Sequence, residues 1–238
     1  DSTEGVYYQA LEAAWYYYAL TELRKIADEL GITVDDAFYE ERIPLVRKGF
    51  SDFWTEEGYR SEGMDAPDER VQAVAILSGL ADESKYDTMA EVFQQSFHAT
   101  PLLEYYVESA CVRIGRGDLA EMRMKRQYAP MIEGKDAGHS DTLWEYWRYG
   151  QGTSNHAWSG GPLVILSRDF AGIHYLPPGE NADFLISPAE TEGKEISASI
   201  ASSKGRISVE LKKDEDGLRF HLKQTEGLVT HVVLPEYQ

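Results

Sequence analysis

Apolar residues recur at helical spacing through the first 175 positions of the chain. The spacing predicts seven helical segments: 7–30, 34–54, 67–81, 87–97, 101–115, 118–132 and 156–173. Gly31 and Gly115 are expected stops, and Pro67 and Pro101 are expected first-turn residues. Pro44 is expected to kink or interrupt the second helix.

Two kinds of helix alternate along this region. The segments beginning at 7, 67, 101 and 156 are apolar on nearly every side, while those beginning at 34, 87 and 118 are amphipathic and charged. A helix that is apolar all round must be enclosed, and an amphipathic helix can cover it. The pattern favours two concentric layers of antiparallel hairpins, as in an α/α toroid, over a plain bundle or a helical repeat array.

The composition changes after Tyr175. A turn-rich stretch at 176–182 precedes five segments that alternate apolar and polar residues, as strands of an antiparallel sheet do. The residues KDEDG at 213–217 predict a hairpin between the third and fourth of them. We therefore expect a mainly α region at 1–175, followed by a small β domain at 176–238.

The composition narrows the function classes. Among 238 residues, 41 acidic side chains against 23 basic ones give a net charge of −18, which disfavours nucleic-acid binding. No apolar run is long enough for a membrane span. The single cysteine, Cys111, excludes an intrachain disulfide framework. A periplasmic or secreted location fits these features, and a cytoplasmic one is compatible with them. Because the sequence begins at Asp1 with no signal pattern, we expect a processed or partial chain.

The segment 134–156 is the best candidate for a functional site. The run from 134 to 161 holds three tryptophans, two tyrosines and two histidines among several glycines, as clefts that stack on sugar rings do. Glu145 lies between Trp144 and Trp147, where desolvation would raise its pKa and suit it to acid or base catalysis. The alternative is a structural glutamate that pairs with Arg148 or caps a turn.

Other candidates have weaker patterns. His156, after Asn155, either contacts a substrate or satisfies loop carbonyls. His139, Asp141, Glu145 and His156 match no zinc signature, so we expect neither a metal site nor a cofactor.

Acidic residues also precede the third helix. Asp65, Asp68 and Glu69 suit the positive end of the helix dipole, and Gln72 is placed to reach a pocket.

Two motifs in the candidate segment resemble the bacterial α-L-rhamnosidases of glycoside hydrolase family 78. Thr142 to Trp147 matches a T-x-W-E-x-W motif, and Ser154-Asn155-His156 is similar to the asparagine–histidine motif that follows it. A helix ending in Ala171-Gly172-Ile173 comes next, as in the family. Three upstream features also occur in the family's order: the aromatic helix predicted at 7–30, the helix that contains Gln72, and the helix that starts at Thr100-Pro101.

The resemblance implies an (α/α)6 barrel followed by a β-sandwich, and hydrolysis of terminal α-L-rhamnosides with inversion. It assigns the general base to Glu145 and a sugar contact to His156. Trp144, Trp147, Asn155 and Asp65 are the further substrate-binding candidates.

The sequence also departs from the family. The acidic motif that holds the general acid has no match, the family barrel has twelve helices against seven here, and the gap between the two motifs is shorter. If the chain were complete, Asp65 or Glu69 would have to be the acid, and we expect neither to be. We expect a piece of a larger enzyme, with the N-terminal remainder or a second copy covering the open barrel edge at helices such as 71–81. Another toroidal glycosidase and a non-catalytic carbohydrate-binding protein remain alternatives.

Overall fold

The computed structural model describes residues 9–134, 142–189, 195–215 and 217–234. The chain divides into two compact units, Asp1–Ile114 and Gly115–Gln238. Helices form most of the first unit and the start of the second, and strands dominate the second unit from Ile173 onward. This bears out a mainly helical chain with a β-rich C-terminal part. The predicted division at 175/176 stays a prediction.

Among its described residues, the first unit contains five α-helices and a short hairpin, with 3-10 turns at Ser51–Phe53 and Glu83–Lys85. The helices are α1 (Gln9–Leu30), α2 (Asp36–Phe50), α3 (Glu69–Leu77), α4 (Tyr86–Gln95) and α5 (Pro101–Arg113), and the hairpin strands are β1 (Trp54–Thr55) and β2 (Gly58–Tyr59). Helix α3 packs against both α1 and α5, while α2 packs on α1 and α4 on α3. Every residue from Glu69 to Ile76 is buried, as expected for an enclosed helix.

The start of α3 differs from the prediction. Pro67 is not its first residue: Asp68 is the N-cap, and its carboxylate accepts the backbone N–H of Arg70 at 2.9 Å. A side-chain cap satisfies one of the free N–H groups of the first turn, which proline cannot do. The helix ends early, at Leu77, and Gly79 then takes a left-handed φ of 74°.

Two further details concern α2 and the sixth helix. Pro44 lies inside α2 without ending it, so the predicted interruption is wrong, and the predicted kink stays a prediction. The sixth helix begins at Gly117, one residue before the predicted start at 118, and the Asp118 carboxylate accepts from the Arg116 guanidinium.

The exposed apolar surface lies elsewhere than expected. Residues 71–76, 80 and 81 are buried, so the predicted open flank at 71–81 is wrong. The second half of α1, predicted to be enclosed, exposes Leu23 (51%), Ile26 (55%) and Leu30 (67%) at helical spacing. On α2, Phe38 and Leu45 are exposed as well.

The second unit begins with helix α6 (Gly117–Glu133). A second helical segment runs through a 3-10 turn (Ala157–Gly160), α7 (Gly161–Val164) and a π-helix (Ile165–Phe170). Two three-stranded sheets follow: β3 (Ile173–Tyr175), β4 (Phe184–Ile186) and β8 (Thr230–Val232), then β5 (Glu195–Ser202), β6 (Gly205–Asp214) and β7 (Gly217–Gln224).

The strands correct the expectation of one antiparallel sheet. Strands β5, β6 and β7 are antiparallel, and the predicted hairpin joins β6 to β7, with Asp214 opposite Gly217. In the other sheet, β4 pairs antiparallel with β3 but parallel with β8. Both sheets contribute to one apolar core, which includes Phe184, Ile186, Ile207 and Val209.

The turn into β3 depends on a glycine. Gly172 has a φ of 72°, and a Cβ there would lie 2.2 Å from the backbone nitrogen of Pro188. Its carbonyl accepts the N–H of Ser187 at 2.9 Å, so the chain passes close to the backbone of 187–188. Ala171 and Ile173 on either side are buried. Within the described residues, no helix combines the length and apolar content needed to cross a membrane.

Candidate functional site

The residues 142–156 fold back on themselves through backbone hydrogen bonds. The N–H of Glu145 donates to the carbonyl of Thr153 (3.0 Å), and the N–H of His156 donates to that of Leu143 (2.9 Å). The Thr142 hydroxyl donates to the carbonyl of Ser154. These bonds bring the two sequence motifs side by side and place the side chains of Glu145 and His156 together.

The two tryptophans beside Glu145 anchor the segment. Trp144 is fully buried in a small core with Tyr128 and Met131, and its carbonyl accepts the Ser159 hydroxyl. Trp147 packs edge-to-face on Tyr128 at 4.9 Å. In this geometry both indoles hold the segment on α6.

The Glu145 carboxylate is bound by Thr153. Its Oε2 accepts the Thr153 backbone N–H at 2.8 Å and the Thr153 hydroxyl at 3.1 Å. None of the described residues donates to Oε1. Gly152 makes this approach possible, because a Cβ at that position would lie 2.5 Å from Oε2.

These bonds reverse the expected pKa shift. The Thr153 backbone N–H, with smaller contributions from its hydroxyl and from His156, lowers the pKa of Glu145 below its ordinary value. The predicted rise in pKa required desolvation by the tryptophans. The Glu145 side chain is instead 18% exposed, and the donors from Thr153 stabilise its charged form. A carboxylate that stays ionised can accept a proton over a wide pH range.

His156 completes the cluster. Its Nδ1 lies 2.7 Å from the Thr153 hydroxyl and 3.6 Å from Oε2 of Glu145. Its ring lies against that of Trp158, with centroids 3.9 Å apart, and the Trp158 indole N–H donates to the Glu145 carbonyl at 3.3 Å. Asn155 is exposed next to it. Thr153 and Trp158 had not been singled out from the sequence; no spacing rule relates them to Glu145, although both fall within four residues of His156.

His139 and Asp141, two members of the disfavoured metal set, lie outside the described residues.

Asp65 lies in the first unit. It is exposed and lines an acidic cleft of about 450 Å³ whose other lining residues include Glu56, Glu57, Glu91 and His98. Gln72 does not line this cleft: it is buried and bonded to both backbone groups of Tyr59, at 2.9 and 2.7 Å.

Asp68, Glu69 and His98 form the described group that could offer ligands to a metal, with one atom from each within 4.8 Å. Those atoms already have partners. Asp68 forms an ion pair with Arg70 at 2.6 Å, and Glu69 accepts the N–H groups of His98 and Ala99 and the Ser96 hydroxyl. We attribute the group to holding residues 96–99 at the start of α5. Glu69 is fully buried, so it is a poor candidate for an acid that must reach a substrate.

Comparison with known proteins gives a structural match. No family model matches the chain, and no curated protein matches it. The crystal structure of a GH78 family rhamnosidase of Bacillus sp. GL1 superposes with a TM-score of 0.73 at 21% sequence identity, over 94% of this chain. The chain has the fold of part of that rhamnosidase.

The matched region is 26% of the rhamnosidase chain, so this protein spans about a quarter of that enzyme's length. The resemblance found in the two motifs is thereby confirmed at the level of fold.

Proposed function

We propose that the chain is part of an inverting glycoside hydrolase of the α-L-rhamnosidase type and carries its general base, Glu145. The observation that carries this proposal is the Glu145 carboxylate, which Thr153 holds in its ionised state beside His156. The match to a GH78 family rhamnosidase supports the same class. The finer architecture belongs to this proposal: α1 to α6 and the following helical segment form part of an (α/α)6 toroid, and the two sheets form a β-sandwich.

In the proposed reaction, Glu145 activates a water molecule. Oε2 is bound to Thr153, so Oε1 is the oxygen that accepts the water proton as the water attacks the anomeric carbon. An acid on the opposite side of the sugar protonates the leaving oxygen, about 6.5–9.5 Å from the base in inverting enzymes. We assign this acid to the part of the enzyme outside this chain.

Sugar contacts are proposed for the remaining candidates. His156 contacts a hydroxyl group, and Asn155 offers an amide next to it. Asp65, in the first unit, stays a predicted sugar contact. Trp144 and Trp147 act indirectly by holding the segment, while Trp158, which packs on His156, supplies the aromatic face.

The test is hydrolysis of a chromogenic α-L-rhamnoside by the longest polypeptide that contains this chain. We expect Glu145→Gln to abolish turnover while rhamnoside binding is retained, because the amide keeps the shape and cannot take the proton. Glu180→Gln is the matched control, since Glu180 is an exposed glutamate of the same unit. Unchanged turnover in Glu145→Gln would refute the role of Glu145.

One observation favours a second function, a non-catalytic carbohydrate-binding protein. Glu69, one of the two acid candidates in the chain, is sealed by hydrogen bonds. If rhamnoside binds but neither the wild type nor Glu145→Gln hydrolyses it, a carbohydrate-binding protein or a glycosidase for another sugar is favoured. A glycan array distinguishes these two.

We also propose a macromolecular partner. An exposed apolar surface favours association with another protein surface. Such a surface is formed by Leu23, Ile26 and Leu30 of α1 and by the exposed apolar residues of α2. The N-terminal remainder of the enzyme covers this surface, or a second copy of the chain does so when the chain is isolated.

A further inference from the structure

The Thr153 hydroxyl stands between the two functional side chains of the site. Its oxygen lies 3.1 Å from Oε2 of Glu145 and 2.7 Å from Nδ1 of His156. Both distances are those of hydrogen bonds, so the hydroxyl bridges the carboxylate and the imidazole.

Counting protons assigns the direction of both bonds. A threonine hydroxyl has one proton to donate, and an ionised carboxylate can only accept. If the hydroxyl donated to His156, its oxygen lone pairs would face the negative Oε2, which is repulsive. The stable arrangement is donation from Thr153 to Glu145 and from Nδ1–H of His156 to Thr153. The lowered pKa of Glu145 agrees with a donated proton.

We propose that Thr153 is a positioning residue that fixes neutral His156 as the Nδ1–H tautomer, leaving Nε2 as a hydrogen-bond acceptor for a sugar hydroxyl. The inference rests on the proposed function. A hydrogen bond at one ring nitrogen decides which nitrogen carries the proton, and neutral histidine in water favours the opposite tautomer, so the bridge works against an intrinsic preference. An Nε2 acceptor binds an O–H donor and rejects a ligand group that can only accept, such as a carboxylate.

The neighbouring residues hold the bridge in place. The backbone N–H of Thr153 bonds the same Oε2 at 2.8 Å, which fixes the distance between the hydroxyl and the carboxylate. Trp158 lies against the His156 ring, and the backbone N–H of His156 donates to the backbone carbonyl of Leu143. The ring keeps 30% of its side-chain exposure, so it remains accessible to a ligand.

The test reads the tautomer directly, without a substrate. The 238-residue chain is labelled with ¹⁵N-histidine, and long-range ¹H–¹⁵N spectra are recorded about two pH units above the ordinary imidazole pKa of about 6.5. His156→Gln assigns the signal. We expect Nδ1–H in the wild type and in Thr153→Ser, and loss of that tautomer in Thr153→Val, whose side chain has the same shape without the hydroxyl.

The spectra decide the proposal in each case. An Nε2–H or mixed signal in the wild type overturns it, and so does an Nδ1–H signal that survives in Thr153→Val. If the valine variant does not fold, as judged by the other histidine signals, the wild-type and serine spectra decide alone: Nδ1–H in both supports it, and any other tautomer in either overturns it.

A separate titration of the longest polypeptide that contains this chain with methyl α-L-rhamnoside tests the consequence for binding. We expect affinity to fall about three- to tenfold in Thr153→Val and to be restored in Thr153→Ser, as for one hydrogen bond. A wild-type polypeptide that binds no rhamnoside counts against the proposed function and leaves the tautomer result standing. Binding equally tight in all three overturns the role of the tautomer in sugar recognition.

Discussion

At the scale of single residues, Gly152 decides where the Glu145 carboxylate can lie. Its left-handed backbone, with φ of 66°, disfavours any side chain, and the carboxylate occupies the place of a Cβ. Gly150 has a similar φ of 82° and nothing within 4 Å of a Cβ. Alanine variants at the two positions can therefore distinguish the effect of backbone strain from that of displacing the carboxylate.

In the longest polypeptide that contains this chain, we expect Gly152→Ala to remove the proposed rhamnoside hydrolysis and Gly150→Ala to keep it. Both variants bear a left-handed backbone penalty of about 1–2 kcal/mol, measurable by thermal unfolding. Only the first pushes Oε2 away from Thr153. Equal activity in the two variants would show that the position of the carboxylate is not critical.

His98 provides a pH-dependent contribution to stability in the first unit. Its side-chain hydrogen bond to the buried Glu69 raises the pKa of His98 above its ordinary value of 6.5. A raised pKa stabilises the fold fully below the ordinary value and loses that effect as pH rises through the folded one.

We therefore expect His98→Asn to be more destabilising at about pH 5.5 than at about pH 8.5, as measured by urea unfolding. The side chain is 56% exposed, so the difference is small, well under the value for a buried pair. His174→Asn is the control, and a loss that grows with pH would contradict the sign.

At the scale of elements, buried polar residues connect the helices to the loops. Gln72 of α3 accepts the N–H of Tyr59 and donates to its carbonyl, so it fixes strand β2 to the helix. We expect Gln72→Leu to cost about 2–4 kcal/mol, because two buried backbone groups lose their partners. Gln94→Leu is the control, since Gln94 is exposed. Denaturant unfolding measures both, and equal small losses would contradict this role.

The junction between the π-helix and β3 permits a similar comparison. We expect Gly172→Ala to destabilise the second unit by more than the about 1–2 kcal/mol of a left-handed alanine alone, because its Cβ would meet the backbone of 187–188. Gly150→Ala measures the backbone part by itself. Similar melting temperatures for the two variants would mean that the chain moves aside without cost.

Much of the secondary structure was predictable from the sequence. Helical spacing locates all seven helical segments, and the KDEDG turn locates the β6–β7 hairpin. The start of α3 was missed because a side-chain cap at Asp68 competes with a first-turn proline at Pro67, and both follow known preferences. The parallel pairing of β4 with β8 was missed because strands of three residues carry almost no pattern.

The candidate site was predictable only in part. The motifs locate Glu145 and His156, but their relation depends on Thr153, eight residues from one and three from the other. The pairing of 143–145 with 153–156 creates that contact, and no periodicity in the segment indicates it. The sign of the pKa shift could not be predicted because it depends on which donors reach the carboxylate.

At the scale of the whole molecule, net charge and exposed apolar surface have opposite effects on self-association. The net charge of −18 repels other copies, while Leu23 and Ile26 favour contact with them. We expect the isolated chain to associate in sedimentation experiments and to do so more strongly with added salt, because salt screens the repulsion.

The double variant Leu23→Gln and Ile26→Gln tests this without changing the charge. We expect it to sediment as a monomer, whereas Val229→Gln, at an exposed position of the second unit, behaves as the wild type. A wild-type chain that stays monomeric at every concentration and salt level would remove the argument for a second copy.

The folded-back segment 142–156 also has a consequence for how such proteins diversify. Its ends are tied by backbone bonds and by Gly152, and the indoles of Trp144 and Trp147 hold its base, whereas residues 148–151 are exposed at its tip. We expect residues inserted or exchanged at 150–151 to leave the carboxylate and the imidazole in place, whereas Tyr149 packs edge-to-face on Trp144 at 5.2 Å and belongs to the anchored base. In the proposed enzyme, substrate preference could therefore change, by evolution or by loop grafting, while Glu145 and His156 stay in place, and the shorter distance expected between the two motifs would be a change of this kind.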